Sequence, residues 1–265
     1  LRNAGIECTM HVYPTCGHGW GFRDAAHGFP YHEQMLNDLT CWLNGFKAPK
    51  VGAIRVACIG NSITDGFGIG MAPVKGYPAQ LQKKLGDNYE VKNFGVSART
   101  MMNKGDLPYM NELAWRDAKA FNPNVVVVKL GTNDTKTHNW AKGAEEYQQS
   151  MQAMIDTLKA LPSKPKIYLC SPIPALKDSW TIKDSVIVNG EMPIIQKLAK
   201  KNKCSFVDLH TAFTFADMMQ RDGIHPTAKG AGKIADIIYT ALTTPEKELK
   251  AAAKKSAKKK GAKKK

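Results

Sequence analysis

Residues 124–134 read Asn124-Val125-Val126-Val127-Val128-Lys129-Leu130-Gly131-Thr132-Asn133-Asp134. Four consecutive β-branched residues make a run that is apolar on both sides of the backbone, the pattern of a strand covered on both faces. Gly, Thr, Asn and Asp then end the strand in turn chemistry and place a side-chain amide, that of Asn133, just beyond its carboxyl end. Strands buried on both faces occur in parallel sheets sandwiched between helices.

The rest of the chain repeats the motif around this segment. Strand-like runs lie at 54–59, 89–94, 166–170 and 205–209, and helix-like segments at 76–86, 107–121, 143–160, 184–202 and 227–242. Five short strands alternating with helices predict a parallel five-stranded sheet with a helical layer on each side. Right-handed crossovers follow, and ligands in such folds bind beyond the carboxyl ends of the strands.

Those ends carry the chemistry. After the first strand comes Gly60-Asn61-Ser62-Ile63-Thr64-Asp65-Gly66. Ser62 there either projects a hydroxyl into the crevice or caps the helix that follows. The second strand ends in Asn93-Phe94-Gly95-Val96-Ser97, with a glycine whose backbone N–H can approach a ligand closely. Near the end of the core lies Arg221-Asp222-Gly223-Ile224-His225-Pro226. Asp222 and His225 are three apart on a tight loop, where the carboxylate can hold one ring nitrogen while the other faces Ser62. Pro226 is expected to open the last helix, where its missing N–H costs nothing. Nucleophile, base, orienting acid and oxyanion donors are the set that acyl transfer requires.

Taken together and in this order, Ser62, Gly95, Asn133 and His225 resemble the four signature residues of the SGNH hydrolase superfamily, the GDSL-like esterases. The resemblance covers roughly residues 54–242. It departs in the first block, where Asn61 stands in place of an aspartate and keeps an acceptor but not a charge. The resemblance implies an α/β fold, the flavodoxin-like three-layer α/β/α sandwich. It also implies an acyl-enzyme mechanism with Ser62, Asp222 and His225 as catalytic residues. The oxyanion hole would be formed by the N–H of Ser62, the N–H of Gly95 and the amide of Asn133. No metal and no cofactor is required.

Composition sets the remaining limits. With 43% hydrophobic residues among 265, the chain can fill one large core, and it holds no apolar run long enough for a membrane span. The six cysteines, Cys8, Cys16, Cys41, Cys58, Cys170 and Cys204, contain no CxxC pair and suggest neither a zinc site nor a disulfide framework, a bridge from Cys8 to Cys16 or Cys41 remaining open. The formal charge of +15 suggests nucleic acid until it is localised: residues 245–265 hold ten lysines and two glutamates, so the other 244 residues carry only +7. A lysine block of this kind reads as a disordered or helical tail, and no specific nucleic-acid motif accompanies it.

Residues 1–47 do not read as a free-standing domain. Tyr13-Pro14-Thr15-Cys16-Gly17-His18-Gly19-Trp20-Gly21 resembles the carboxyl-terminal end of an α/β-hydrolase esterase, whose serine and acid come earlier in the chain. The segment is therefore expected to be the remnant of an upstream esterase domain, or else a helical extension packed on the catalytic domain, followed by a hydrolase domain over 52–244. His18 is not assigned a catalytic role. Trp140 and Trp180, on segments after the third and fourth strands, either stack on sugar rings or belong to the core or a lid. The segments Gly131–Asp134 and 168–174 resemble sialate O-acetylesterase-like and acetylxylan-esterase-like enzymes. That resemblance favours an acetylated carbohydrate as substrate and a secreted or periplasmic location. A lysophospholipase or thioesterase of the same fold is the alternative enzyme, and a polyanion-binding protein the alternative outside catalysis.

Overall fold

The computed structural model describes residues 49–213 and 216–244. The expectations for 1–47, for Cys8, Cys16 and Cys41 and for the lysine-rich segment fall outside the described residues.

Five strands, β1 (Ile54–Gly60), β2 (Tyr89–Gly95), β3 (Val125–Lys129), β4 (Lys166–Cys170) and β5 (Ser205–Val207), form one sheet in the order β2-β1-β3-β4-β5. Every neighbouring pair is parallel. This is the flavodoxin-like order, with its switch point where β1 meets β3, and it makes the protein an α/β/α sandwich. The side chains of each central strand alternate between two cores. Val56 and Cys58 of β1 and Val125 and Val127 of β3 face one cluster, which takes in Tyr77, Leu81 and Leu85 and the helical residues Ala231, Ile234, Ala235 and Ile238. Ala57, Ile59, Val126 and Val128 face the other, built from Trp115, Tyr147, Met151, Met154, Ile155, Leu158, Ile195 and Leu198. All five residues of β3 are buried, as its apolar run predicts.

The helices that supply these faces are α1 (Ser62–Asp65), α2 (Tyr77–Leu85), α3 (Leu113–Ala120), α4 (Ala144–Lys159), α5 (Met192–Asn202) and α6 (Ala228–Thr243). Four expectations need correction. The helix expected over 107–121 begins only at Leu113, because Thr100 and Pro108 pair as an isolated bridge and Tyr109–Asn111 makes a 3-10 turn. The helix expected over 184–202 contains a π-helical turn, Ile187–Glu191, before α5. Pro226 lies outside α6: Thr227 is the cap, its hydroxyl accepting from the Gly230 N–H at 3.3 Å. The fifth strand also stops at Val207, since the N–H groups of Leu209 and His210 donate to the Ser171 hydroxyl rather than to a ladder.

Among the described residues no helix is long and apolar enough to cross a membrane. Cys58 and Cys170 are buried free thiols, and burial pushes both up to about 12, so neither is a thiolate at neutral pH.

Candidate active site

β1 delivers its last residue, Gly60, to the switch point, and Asn61 then caps α1, its side-chain oxygen accepting from the Ile63 N–H at 3.1 Å. The cap is therefore Asn61 and not Ser62. Substitution of asparagine for aspartate keeps that acceptor, which is what the turn needs. Ser62 is the first residue of the helix, so its own N–H has no intrahelical acceptor. Its hydroxyl, freed from capping, lies 2.8 Å from Nε2 of His225.

The loop after β5 brings Asp222 and His225 to the same place. Asp222 Oδ1 accepts from the N–H groups of Ile224 and His225 at 2.8 and 2.9 Å, and its Oδ2 lies 2.7 Å from Nδ1 of His225. A carboxylate only accepts, so Nδ1 carries the proton and Nε2 presents a lone pair to the Ser62 hydroxyl. Burial pushes the Asp222 carboxyl up, but the two N–H groups and the imidazole outweigh it and hold the group below the usual carboxylate range. Ser62 and His225 are both buried, whereas Asp222 keeps some contact with solvent.

The expected oxyanion donors arrive from three strand ends. Gly95 is the last residue of β2, and a Cβ there would overlap the backbone nitrogen of Asp65 in the helix that starts with Ser62. Only glycine lets β2 end this close to α1. The Gly95 N–H itself donates to the side-chain oxygen of Asn93 at 2.9 Å. Asn133, on the turn after β3, is buried and gives one amide hydrogen to the Arg99 carbonyl at 3.1 Å, leaving the second uncommitted among the described residues. That turn begins at Gly131 with φ +124°, where a Cβ would lie 2.8 Å from Glu191 Oε2 and 2.9 Å from the Tyr147 hydroxyl.

Several residues that support the site were not singled out from the sequence. Asp134 is fully buried and accepts from the N–H groups of Met101 and Met102 at 2.9 and 2.7 Å, which pins the Gly131–Asp134 turn to the segment beside Arg99. Burial drives its carboxyl above the usual range in spite of those donors. Behind the turn, the Lys129 ammonium, the Glu191 carboxyl, the Tyr147 hydroxyl and the Thr132 hydroxyl are buried with no hydrogen-bonding partner among the described residues. Desolvation brings Lys129 down to about 7 and raises Glu191. A lysine inside an otherwise apolar strand was the signal in the sequence. Phe67 carried none, yet its ring lies 4.7 Å from that of His225. Among the described residues no group of three or more His, Cys, Asp or Glu side chains is arranged to hold a metal ion.

Residues 58–233 match the model of the GDSL-like lipase/acylhydrolase family. The chain belongs to that family. It is 53% identical, over 260 residues, to an acetylxylan esterase of Xylanibacter ruminicola, the match covering 91% of this chain and 53% of the relative. The chain thus spans about half the length of the curated relative it matches. Among solved structures, an acetyl xylan esterase, AlAXEase, is 26% identical with a TM-score of 0.57, covering 71% of this chain and all of that one. The aryl esterase of M. smegmatis, 22% identical with a TM-score of 0.62 over 72% of this chain and 98% of that one, has the same fold.

Proposed function

We propose that this family member is a serine esterase that removes O-acetyl groups from carbohydrates through an acyl-enzyme on Ser62. The observation that carries the chemistry is the unbroken relay from the Ser62 hydroxyl through His225 to the Asp222 carboxylate. The carbohydrate assignment draws on the acetylxylan esterase to which the chain is 53% identical and on AlAXEase.

In this reading His225 Nε2 takes the Ser62 proton as the oxygen attacks the ester carbonyl. It then gives the proton to the leaving sugar oxygen, which departs as a hydroxyl. Asp222 holds the tautomer and stabilises the imidazolium. Water, deprotonated by the same nitrogen, attacks the acetyl-serine, and His225 gives that proton to the Ser62 oxygen as acetate is released. The tetrahedral oxyanion accepts from the Ser62 N–H and from the uncommitted amide hydrogen of Asn133. Gly95 joins them once the Asn93 side chain, which is exposed, turns its oxygen away from the Gly95 N–H.

The test is a panel of esters: acetylated xylan, O-acetylated sialic acid, and acetyl and long-chain acyl esters of one simple alcohol. The expected result is acetate release from a carbohydrate and steep loss of rate as the acyl chain lengthens. Faster turnover of the long acyl ester would replace this reading by a lysophospholipase or thioesterase.

A further inference from the structure

Three large aromatic rings are exposed among the described residues, Phe67, Trp180 and Tyr239, and two of them lie against His225. Trp180 is 55% exposed, its ring centroid 5.7 Å from that of the histidine and nearly edge-on at 72°. Phe67 is 51% exposed and tilted at 45°. Trp140, the other tryptophan noted in the sequence, is different: it packs on Tyr147 at 6.0 Å and against the second core, and a Cβ at Gly190 would run into it.

The backbone at Trp180 is held in a conformation that side chains avoid. Trp180 has φ 53° and ψ 30°, and Thr181 follows with φ 61°. Two successive left-handed non-glycine residues persist only where their surroundings over-determine them. Here the surroundings are the loop that carries the catalytic acid. The Leu176 N–H donates to the Gly223 carbonyl at 2.8 Å, Lys177 Nζ to the Arg221 carbonyl at 2.7 Å and the Ser179 hydroxyl to the Asp222 carbonyl at 2.7 Å. Ile182 is buried on the far side of the turn. The turn is thus fastened before and after Trp180, while the indole itself projects beside the histidine, and its N–H has no acceptor among the described residues.

We propose that Trp180, with Phe67, is the platform that binds the sugar ring of the substrate beside the Ser62–His225 pair. A pyranose offers an apolar C–H face and a rim of hydroxyls. An indole matches both, stacking on the first and donating its N–H to the second. Rigid attachment to the Asp222 loop registers the stacked sugar against the base, so that the ester oxygen becomes the leaving group at Nε2. The inference deepens the carbohydrate reading and rests on it.

The experiment compares kcat/KM of wild type, Trp180→Ala, Trp180→Phe and Phe67→Ala on an acetylated xylo-oligosaccharide and on ethyl acetate, which has no ring to stack. Melting temperatures are measured alongside. The expected result is that Trp180→Ala lowers the ratio of sugar-ester to ethyl-acetate kcat/KM about tenfold, mainly through KM, with Trp180→Phe intermediate. Equal losses on the two esters would overturn the platform and make Trp180 a positioning residue for His225. An unchanged ratio would overturn it as well. A wild type that hydrolyses ethyl acetate but no sugar ester would remove the carbohydrate reading itself and the platform with it.

Discussion

Nε2 of His225 lies 2.8 Å from the hydroxyl oxygen of Ser62, although 163 positions separate the two residues in the chain. The sheet accounts for the meeting. β1 ends at the switch point and hands its next residues to α1, while the loop carrying Asp222 and His225 returns over the same carboxyl ends before α6 begins.

Asp222→Asn keeps the size of the acid but replaces the oxygen facing Nδ1 by an amide or inverts the tautomer. The expected loss is in kcat, up to about 10⁴-fold, with the fold retained. Steady-state kinetics on a simple acetate ester measure it. A change confined to KM would show that Asp222 serves binding rather than the base.

Asn133→Ala removes the uncommitted amide hydrogen and also the bond to the Arg99 carbonyl. Turnover should fall about 10²–10³-fold, mostly in kcat, because the donor matters most as charge develops on the carbonyl oxygen. Loss in KM alone would contradict the oxyanion assignment.

Asp134→Asn tests the support of that turn. The carboxylate satisfies two buried N–H groups at once, and an amide offers one oxygen and one NH2. One of the Met101 and Met102 donors therefore loses its acceptor, at a cost of about 1–3 kcal/mol in urea or thermal unfolding. Unchanged stability would mean that the turn is held by its packing alone.

Lys129→Met gives a pH-dependent outcome whose sign is fixed by desolvation. The folded chain releases the lysine proton at about 7, the unfolded chain near the ordinary lysine value of 10.5. Below about 7 both states are protonated and the wild type carries the full burial penalty. Between 7 and 10.5 the unfolded state binds more protons, so this group makes stability rise with pH. The methionine variant should be more stable at pH 7 by about 1–4 kcal/mol, the advantage shrinking toward pH 10.5. Unfolding curves across that range measure it. A variant less stable than wild type at pH 7 would show that the ammonium is satisfied by its surroundings.

The alternation of Val125 to Val128 between two cores, the parallel order and the placing of Ser62, Gly95 and Asn133 at or just past three strand ends were legible because period, turn chemistry and residue type are local signals. Whether Ser62 caps the helix or projects into the crevice was not legible, because Asn61 and Ser62 can both accept an N–H and only the backbone decides which one does. The Gly95 N–H engaged by Asn93, and the approach of Phe67 to His225, depend on contacts that no spacing encodes. Trp140 and Trp180 looked alike in sequence. They differ because one ends the short helix Thr137–Trp140 against the second core while the other sits on a turn fastened to the Asp222 loop.

The most direct test is hydrolysis of p-nitrophenyl acetate by wild type and Ser62→Ala under identical conditions, with melting temperatures to establish that both are folded. The expected result is a loss of several orders of magnitude, leaving a residue of about 10³–10⁴ over water from binding and the oxyanion donors. An alanine variant that keeps more than about a tenth of wild-type turnover would contradict Ser62 as the nucleophile, since no transition-state role of that oxygen is worth so little.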